Sequence, residues 1–500
     1  MPRELLTDIA EHFLESPVWH LCQLGETTPN LGEVFMDDAL WTRFYEDRFR
    51  DVSRSPRRGT PVRPLHASSR LSYAELHSLE MRFREGKYSS LGAVTVPKGV
   101  AVLDLRIQHS ETSEAVAFAA MRDGRLLVYN LDHLSNSESE EETRVRKARR
   151  VCEDPESVRE FAPAVDNSSA MSCWPISQGN RPLCVVTGYG SGRLCAWQWP
   201  DGRQLAPREW ESAHLGRVSA VTSACDRLVS ASADGLVKIW DIGEQFGHSR
   251  QTIAGHSGAV MSVAASPSGH TLVTGGLDRS MRLWDLRSGG EAVATWELND
   301  WAMCVDFHPT SEHTLVSADK AVNMWDLRQP GERAISSTHR HQKLISRFRL
   351  DPLRLVTCSL DGCVKVSSLE EPAVRHASPR SSPLVSPRST PLSSPQLSPT
   401  ASPLLSPRVP LLGDFGSAWS LQDGICTLRS SKDYILCIDF DASRLLAGGV
   451  DGKVNVYNFS QRKNFKTCSS NTLCSDEHVP FLDLDDATNM QMTGLPDLEI

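Results

Sequence analysis

Along residues 100–460 apolar and polar positions alternate in short runs broken by Gly, Asp, Asn and Ser, the period-two pattern of half-buried strands joined by tight turns. Two of these runs, RLVSASADGLVKIWD ending at Asp241 and TGGLDRSMRLWD ending at Asp285, follow one plan: small residues, an Asp, a turn, alternation, then Trp. In both the Asp precedes the Trp by six positions. The offset recurs as Asp123 to Tyr129, Ser191 to Trp197, Asp234 to Trp240, Asp278 to Trp284, Asp319 to Trp325, Asp361 to Ser367 and Asp451 to Tyr457, seven copies in all. Successive closing positions lie 68, 43, 44, 41, 42 and 90 residues apart, and the two long intervals hold insertions at about 132–168 and 371–413. A unit repeated in this way buries its apolar face only against its neighbours, so the pattern predicts one mainly β body over residues 90–460.

Residues 2–49 lack the strand pattern. Leu5, Leu6, Ile9, Phe13 and Leu14 follow Pro2 at helical spacing, a proline being favoured at a helix start. Leu21 and Leu24, then Leu31, Val34 and Phe35, and finally DDALWTRFYEDRF over 37–49 continue the pattern. A small all-α domain is expected over residues 1–50, a linker containing a helix over 51–89, and an acidic, disordered tail over 461–500.

Composition narrows the class. With 40% hydrophobic and 23% charged residues the chain reads as a soluble globular protein, and its 29 prolines and 32 glycines fit many turns. The net charge of -9 is concentrated after Ser475, where seven acids meet no Lys or Arg, so the body has no charge excess to draw nucleic acid. Thirteen cysteines occur without a CxxC pair, and Cys184 and Cys437 sit inside apolar runs, which predicts reduced, buried thiols. Glu4, Asp8 and Glu11 interrupt any signal-peptide core and no apolar stretch approaches 18 residues, so no membrane span is expected and the location should be cytoplasmic, nuclear or both.

The repeated unit resembles the WD repeat, and the likeness covers about 370 residues. It implies a seven-bladed WD-repeat β-propeller serving as a binding platform, with no catalytic residue, cofactor or metal. The family's His, 20 to 22 residues before the turn Asp, is matched by His214, His256 and His341. Carried over, the pattern makes His214, Ser230, Asp234 and Trp240 one hydrogen-bonded tetrad, and His256, Thr274, Asp278 and Trp284 the next. Each set looks like a Ser-His-Asp triad, but repetition in successive blades is what architecture requires and catalysis does not. The first, fifth and seventh copies lack the His, Ser367 replaces a Trp, and Tyr129 and Tyr457 replace two more, so these blades are expected to be less rigid.

Ahead of the repeats, PRELLTDIAEHFL, HLCQLGE and DDALWTRFYEDRF, in that order, resemble an F-box, and LEMRFREGKY from Leu79 to Tyr88 resembles the segment joining the two parts of F-box/WD proteins. The resemblance implies the substrate receptor of a Skp-cullin-F-box (cullin-RING) ubiquitin ligase. Its adaptor-binding surface would contain Pro2, Leu5, Leu6, Ile9, Leu24, Leu40 and Trp41, and a protein substrate would sit on the propeller. A non-ligase WD-repeat scaffold, or a minor-groove binder using the Ser-Pro array, are the alternative readings.

Positions that the family projects from one end of the propeller read Arg217, Ala259, Trp301, Leu344 and Tyr434, then Ser219, Met261, Met303, Ser346 and Leu436. Positions just before the turns read Arg122, Gly190, Ala233, Leu277, Ala318, Leu360 and Val450. With only Arg122 and Arg217 basic, recognition is expected through Arg217, Met261, Trp301, Met303 and Tyr434 rather than through phosphate. The blade-six insertion repeats S/T-P-x-x eight times, with Ser378, Ser382, Ser386, Thr390, Ser394, Ser398, Ser402 and Ser406 each before Pro. Proline at every fourth residue excludes helix and sheet, and the hydroxyls, with Ser55 in SPRR, are candidates for proline-directed phosphorylation. Gly188, Gly190 and Gly192 look like a turn rather than a phosphate loop, and Arg144, Arg146, Lys147, Arg149 and Arg150 form a charge-mixed loop or an import signal.

Overall fold

A computed structural model describes Trp41, Thr42 and Tyr45, residues 69–95 and, between 99 and 467, the strands with most of the turns that join them; the rest, including 1–40, 132–157, 371–419 and 468–500, lies outside the described residues. Seven antiparallel sheets follow one another along the chain. Their first strands are Val102–His109, Ala170–Ile176, Val218–Ala224, Val260–Ala265, Cys304–Phe307, Ile345–Leu350 and Ile435–Phe440. Each packs beside the first strands of the sheets before and after it, and the last packs beside the first, so the ring closes. The molecule is a seven-bladed β-propeller, its blades numbered here from Val102.

Strands within a blade pair in chain order. Blade three runs Val218–Ala224, Arg227–Ser232, Leu236–Asp241 and Ser249–Ala254. Leu228 to Ser232 are buried without interruption because both faces of the second strand meet a neighbouring blade, whereas the outermost strand buries only Ile253. Each closing aromatic packs backward: Trp240 joins Val186, Leu194 and Ala196 of blade two, and Trp284 joins Val229, Ala231 and Ile239 of blade three. In blade six Ser367 is buried, and the interface with blade five is filled by Phe348, Leu350, Leu355 and Leu369.

Blade seven takes its outer strand from the other end of the propeller chain. Lys87–Thr95 pairs antiparallel with Lys453–Asn458, Thr95 facing Lys453 and Ser89 facing Asn458. Lys466–Thr467 then pairs with Lys87 and Tyr88. The linker expected over 51–89 therefore ends in a strand, and the tail expected from 461 contributes two residues to the sheet. Cys225 departs from the expectation of buried thiols: it is exposed in a turn at φ 51°, while Cys173, Cys195, Cys304, Cys358, Cys363 and Cys437 are buried and Cys184 is half-buried.

Helix α1, Ser69–Glu85, precedes that strand and ends at Gly86, whose φ of 61° and N–H to Phe83 O bond (3.2 Å) close the last turn. Its buried apolar side chains, Tyr73, Leu76, Leu79 and Phe83, recur at helical spacing and continue the core of blades six and seven. Phe83 stacks on Phe459 with ring centroids 3.6 Å apart, the Arg354 guanidinium covers its other side at 4.1 Å, and Arg82 Nη1 donates to the Phe459 carbonyl at 2.8 Å. Trp41 is 3% exposed and packs on Tyr73 at 5.5 Å.

Strand direction sorts these features between the two ends of the ring. Each first strand starts at the end where the His-bearing loops enter, so second-to-third strand turns lie at that end and third-to-fourth connections at the other. The insertions after Asn130 and Glu370 both leave from the far end, where α1 also docks against Arg354, Phe440 and Phe459.

Candidate binding face of the propeller

At the His end of blade three, His214 Nδ1 lies 3.0 Å from Asp234 Oδ2 and Nε2 lies 2.8 Å from Ser230 Oγ, which accepts the indole N–H of Trp240 at 2.9 Å. Blade four repeats the chain through His256, Asp278, Thr274 and Trp284 at 2.9, 2.7 and 2.8 Å. In a neutral ring whose Nδ1–H donates to the carboxylate, Nε2 is an acceptor and takes the hydroxyl hydrogen, while the hydroxyl oxygen accepts the indole N–H. Burial accordingly lowers the affinity of His214 and His256 for a proton, against the pull of their aspartates. Burial alone would raise the Asp234 carboxyl, but the amide of Leu236 and the ring of His214 outweigh it and hold the group below its ordinary value. Ser230 and Thr274 are fully enclosed, so neither hydroxyl can meet a substrate.

Blade six builds the same start, His341 to Asp361 at 2.8 Å and to Thr357 at 2.9 Å, and lacks the indole because Ser367 stands in its place. Blade five keeps only the other end, Trp325 Nε1 to Ser317 Oγ at 3.0 Å. Blade two, besides the copies already noted, lacks the His: Ser168 Oγ meets Ser191 Oγ at 3.2 Å, while Trp197 Nε1 still reaches Thr187 Oγ1 at 2.9 Å.

The tetrads fix what stands above them. The turn Asp of each also accepts the amide following the His, from Leu215 at 3.1 Å, Ser257 at 3.1 Å and Gln342 at 3.2 Å, so the side chain at that position is turned to solvent. Ser257 and Gln342 are polar, as an exposed tip favours. Leu215 is 96% exposed, which the expected set of face residues did not include. Trp301 is 36% exposed at the same end of blade five, and Met261, Met303 and Tyr434 are half-buried. Arg217 is buried with Nη2 3.7 Å from Met261 Sδ; its Nε has no hydrogen-bond partner, and burial pushes its pKa down to about 10, leaving it charged at neutral pH. Lys343 stands 4.9 Å from the Tyr434 ring. Ser219 and Ser346, also named from the sequence, instead link blades, donating to Val260 O and Ile435 O. Pro2, Leu5, Leu6, Ile9, Leu24, Leu40, Ser55 and the Ser-Pro hydroxyls lie outside the described residues; Trp41 is buried against Tyr73.

Around the axis a second set of polar residues joins blade to blade. The register of first against second strands places Asp104, Ser172, Ala220, Ser262, Cys304, Arg347 and Cys437 in one layer, and Arg106, Trp174, Thr222, Ala264, Asp306, Arg349 and Asp439 in the next but one. Asp104 Oδ2 accepts Cys173 N and Ser172 Oγ, both at 3.1 Å; Ser172 Oγ accepts Val221 N at 3.2 Å; Ser262 Oγ accepts Val305 N at 3.2 Å; and Asp439 Oδ2 accepts Ile107 N at 2.7 Å. Sequence reading missed this ring. Its residues occupy ordinary polar positions of alternating strands, and only closure brings them together.

A closed ring of repeated four-strand units, with His-Asp chains beneath non-repeating exposed side chains, defines a WD-repeat β-propeller whose distinctive chemistry lies on its surface. The family described as WD domain, G-beta repeat, matches residues 209–241 and 247–285, which are blades three and four with their complete tetrads. Relatives include eukaryotic translation initiation factor 3 subunit I of Aspergillus terreus, 38% identical over 97 residues, 19% of this chain and 27% of that protein. Nuclear distribution protein PAC1 of Candida tropicalis is 32% identical over 114 residues, 22% of each chain, and target of rapamycin complex 1 subunit mip1 of Schizosaccharomyces pombe 28% over 141 residues, 25% of this chain and 10% of that one. The chain thus spans about a quarter or less of the length of these relatives. Among the described residues no helix is long and apolar enough to cross a membrane, and no group of three His, Cys, Asp or Glu could hold a metal ion.

Proposed function

We propose that the chain is a non-catalytic substrate receptor of a Skp-cullin-F-box type ubiquitin ligase, its amino-terminal segment binding the Skp-type adaptor and the His end of the propeller holding the protein to be modified. The observation that carries the reading is the exposed Leu215 at a loop position whose counterparts are Ser257 and Gln342, with Trp301 exposed at the same end. An apolar side chain held in water by a rigid tetrad has no role in folding, and apolar and aromatic anchors are what protein interfaces use. The adaptor half rests on the F-box-like order of segments in residues 2–49 and on α1, which ties Trp41 to blades six and seven through Tyr73 and Phe83. A receptor needs such a fixed joint, because the distance from adaptor to substrate sets which lysines are reached.

A second reading, a scaffold outside any ligase, is favoured by relatives named as subunits of an initiation factor and of target of rapamycin complex 1. Co-purification separates the two. Full-length protein should retain a Skp-type adaptor through salt washes, and the double variant Leu6→Ala, Ile9→Ala should lose it while keeping the wild-type melting temperature. Equal recovery with both proteins, or with neither, refutes the receptor reading.

A further inference from the structure

We propose that the axial channel contains a binding site for a tetrahedral oxyanion of the phosphate class, formed by Arg106 of blade one and Arg347 and Arg349 of blade six. The site is distinct from the Leu215 and Trp301 face and stands whether or not the receptor reading does.

The three guanidinium groups surround one fully buried carboxylate at distances too long for hydrogen bonds. Arg106 Nε and Arg349 Nη2 stand 3.7 Å from Asp104, and Arg347 Nη2 stands 3.9 Å away. Arg349 Nε approaches Asp439 no closer than 3.7 Å. Asp104 has its own donors, the amides of Leu105 and Cys173 and the hydroxyl of Ser172, and Asp439 has the amide of Ile107. The carboxylates are therefore satisfied, and the arginines only in part: Arg106 Nε donates to the Cys173 carbonyl and Arg349 Nη1 to that of Phe348, both at 3.2 Å, while Arg347 Nε, Arg349 Nε and Arg349 Nη2 are buried without a hydrogen-bond partner.

Over the whole ring these two layers hold three arginines and three aspartates, with the arginines gathered on blades six and one. Asp306, in the deeper layer on blade five, accepts the amide of Phe307. The neighbouring thiols supply no further negative charge, since burial raises Cys173 and Cys437 well above the ordinary value and Cys358 to about 12. Arg106 and Arg349 also repel each other, which adds to burial in lowering the pKa of Arg106.

Unsatisfied buried donors of one sign call for an acceptor, and guanidinium groups prefer oxyanions that take two N–H bonds at once. A planar carboxylate presents its oxygens in one plane. Here Arg347 belongs to the upper layer and Arg106 and Arg349 to the lower, so donors arrive from two heights, as the oxygens of a tetrahedral anion require. Trp174 fixes the geometry: it lies 4.4 Å from the Arg106 guanidinium while its indole donates to Ser223 at 3.0 Å.

The test is equilibrium dialysis of the full-length protein with radiolabelled inorganic phosphate, together with melting curves in phosphate and in chloride at matched ionic strength. One equivalent bound saturably, a melting temperature that rises with phosphate and not with chloride, and at least a tenfold loss of affinity in Arg349→Gln and in Arg347→Gln support the site. Absence of saturable binding in the wild type shows that water holds these donors and overturns it. Undiminished binding in both folded variants overturns it as well. Should the variants fail to fold, a tungstate soak of wild-type crystals decides, with a peak among Arg106, Arg347 and Arg349 expected and a peak only elsewhere counting against the proposal. O-phosphoserine that binds tighter than inorganic phosphate assigns the anion to a phosphorylated partner reaching in from the His end, whereas weaker binding assigns it to the free ion.

Discussion

Replacing Phe83 by Ala should release helix α1 from the propeller without melting the ring. Phe83 is fully buried, stacked on Phe459 at 3.6 Å and covered by the Arg354 guanidinium at 4.1 Å. Truncating a buried Phe costs about 3–5 kcal/mol, and loss of the cation–π contact falls within that range. Arg354 keeps its bonds to the Asp351 carboxylate, 3.0 and 3.1 Å, so the turn it belongs to survives. A loss of about 3 kcal/mol raises the undocked population of α1 roughly a hundredfold, since about 1.4 kcal/mol is tenfold. Hydrogen exchange read by mass spectrometry should show peptides from 69–85 exchanging about a hundred times faster, with peptides from blades three and four unchanged. Phe83→Leu, which keeps most of the volume, should give a far smaller effect. Unaltered exchange in α1, or equal acceleration in every blade, would show that the helix is not held by this contact.

Further outcomes follow from the same contacts. Leu215→Ser and Trp301→Ala should each weaken partner capture by tenfold or more, as expected of interface anchors, with unchanged melting; capture that survives both but vanishes on dephosphorylating the partner would remove the apolar face from the account. Thr274→Val leaves His256 Nε2 and Trp284 Nε1 without partners and should cost about 3 kcal/mol in denaturant titration, against about 1–2 kcal/mol for Ser317→Ala, which orphans only Trp325. Because the folded chain binds protons at His214 and His256 less readily than the unfolded chain does, stability is full above the unfolded value near 6.5 and should fall as pH drops below it; the depressed Asp234 and Asp278 extend the loss below about pH 4. A pH-independent midpoint between 7 and 5 contradicts this. Phosphopeptide mass spectrometry of protein from dividing cells should find several of Ser378 to Ser406 modified, and an all-Ala loop should leave the melting temperature unchanged.

The offset from turn to closing position, aromatic in six of seven copies, was readable because every blade solves the same packing problem, and a repeat amplifies a weak local signal. Its failures have physical causes. Lys87–Thr95 belongs to blade seven through pairing with Lys453–Asn458, and nothing local announces a partner so far along the chain. Leu215 was overlooked because a single Leu beside a tetrad His reads as core until the Asp234 bond is seen to turn it outward. ISRFRL reads as an alternating strand with its arginines on the polar face, and Asp104, which gives Arg347 and Arg349 their meaning, comes from the first blade.

Borrowing its outermost strand from upstream sets a timetable for the nascent chain. Residues 87–95 leave the ribosome first among the described strands, yet their ladder with Lys453–Asn458 is complete only when Asn458 has followed, about 360 residues later. At roughly 5–20 residues per second that is a wait of about 20–70 s, during which six blades can assemble while the ring stays open and one strand edge stands unpaired. Premature termination anywhere before blade seven therefore yields a chain with two unmatched edges instead of a smaller closed molecule, a species suited to capture by chaperones or by another incomplete copy.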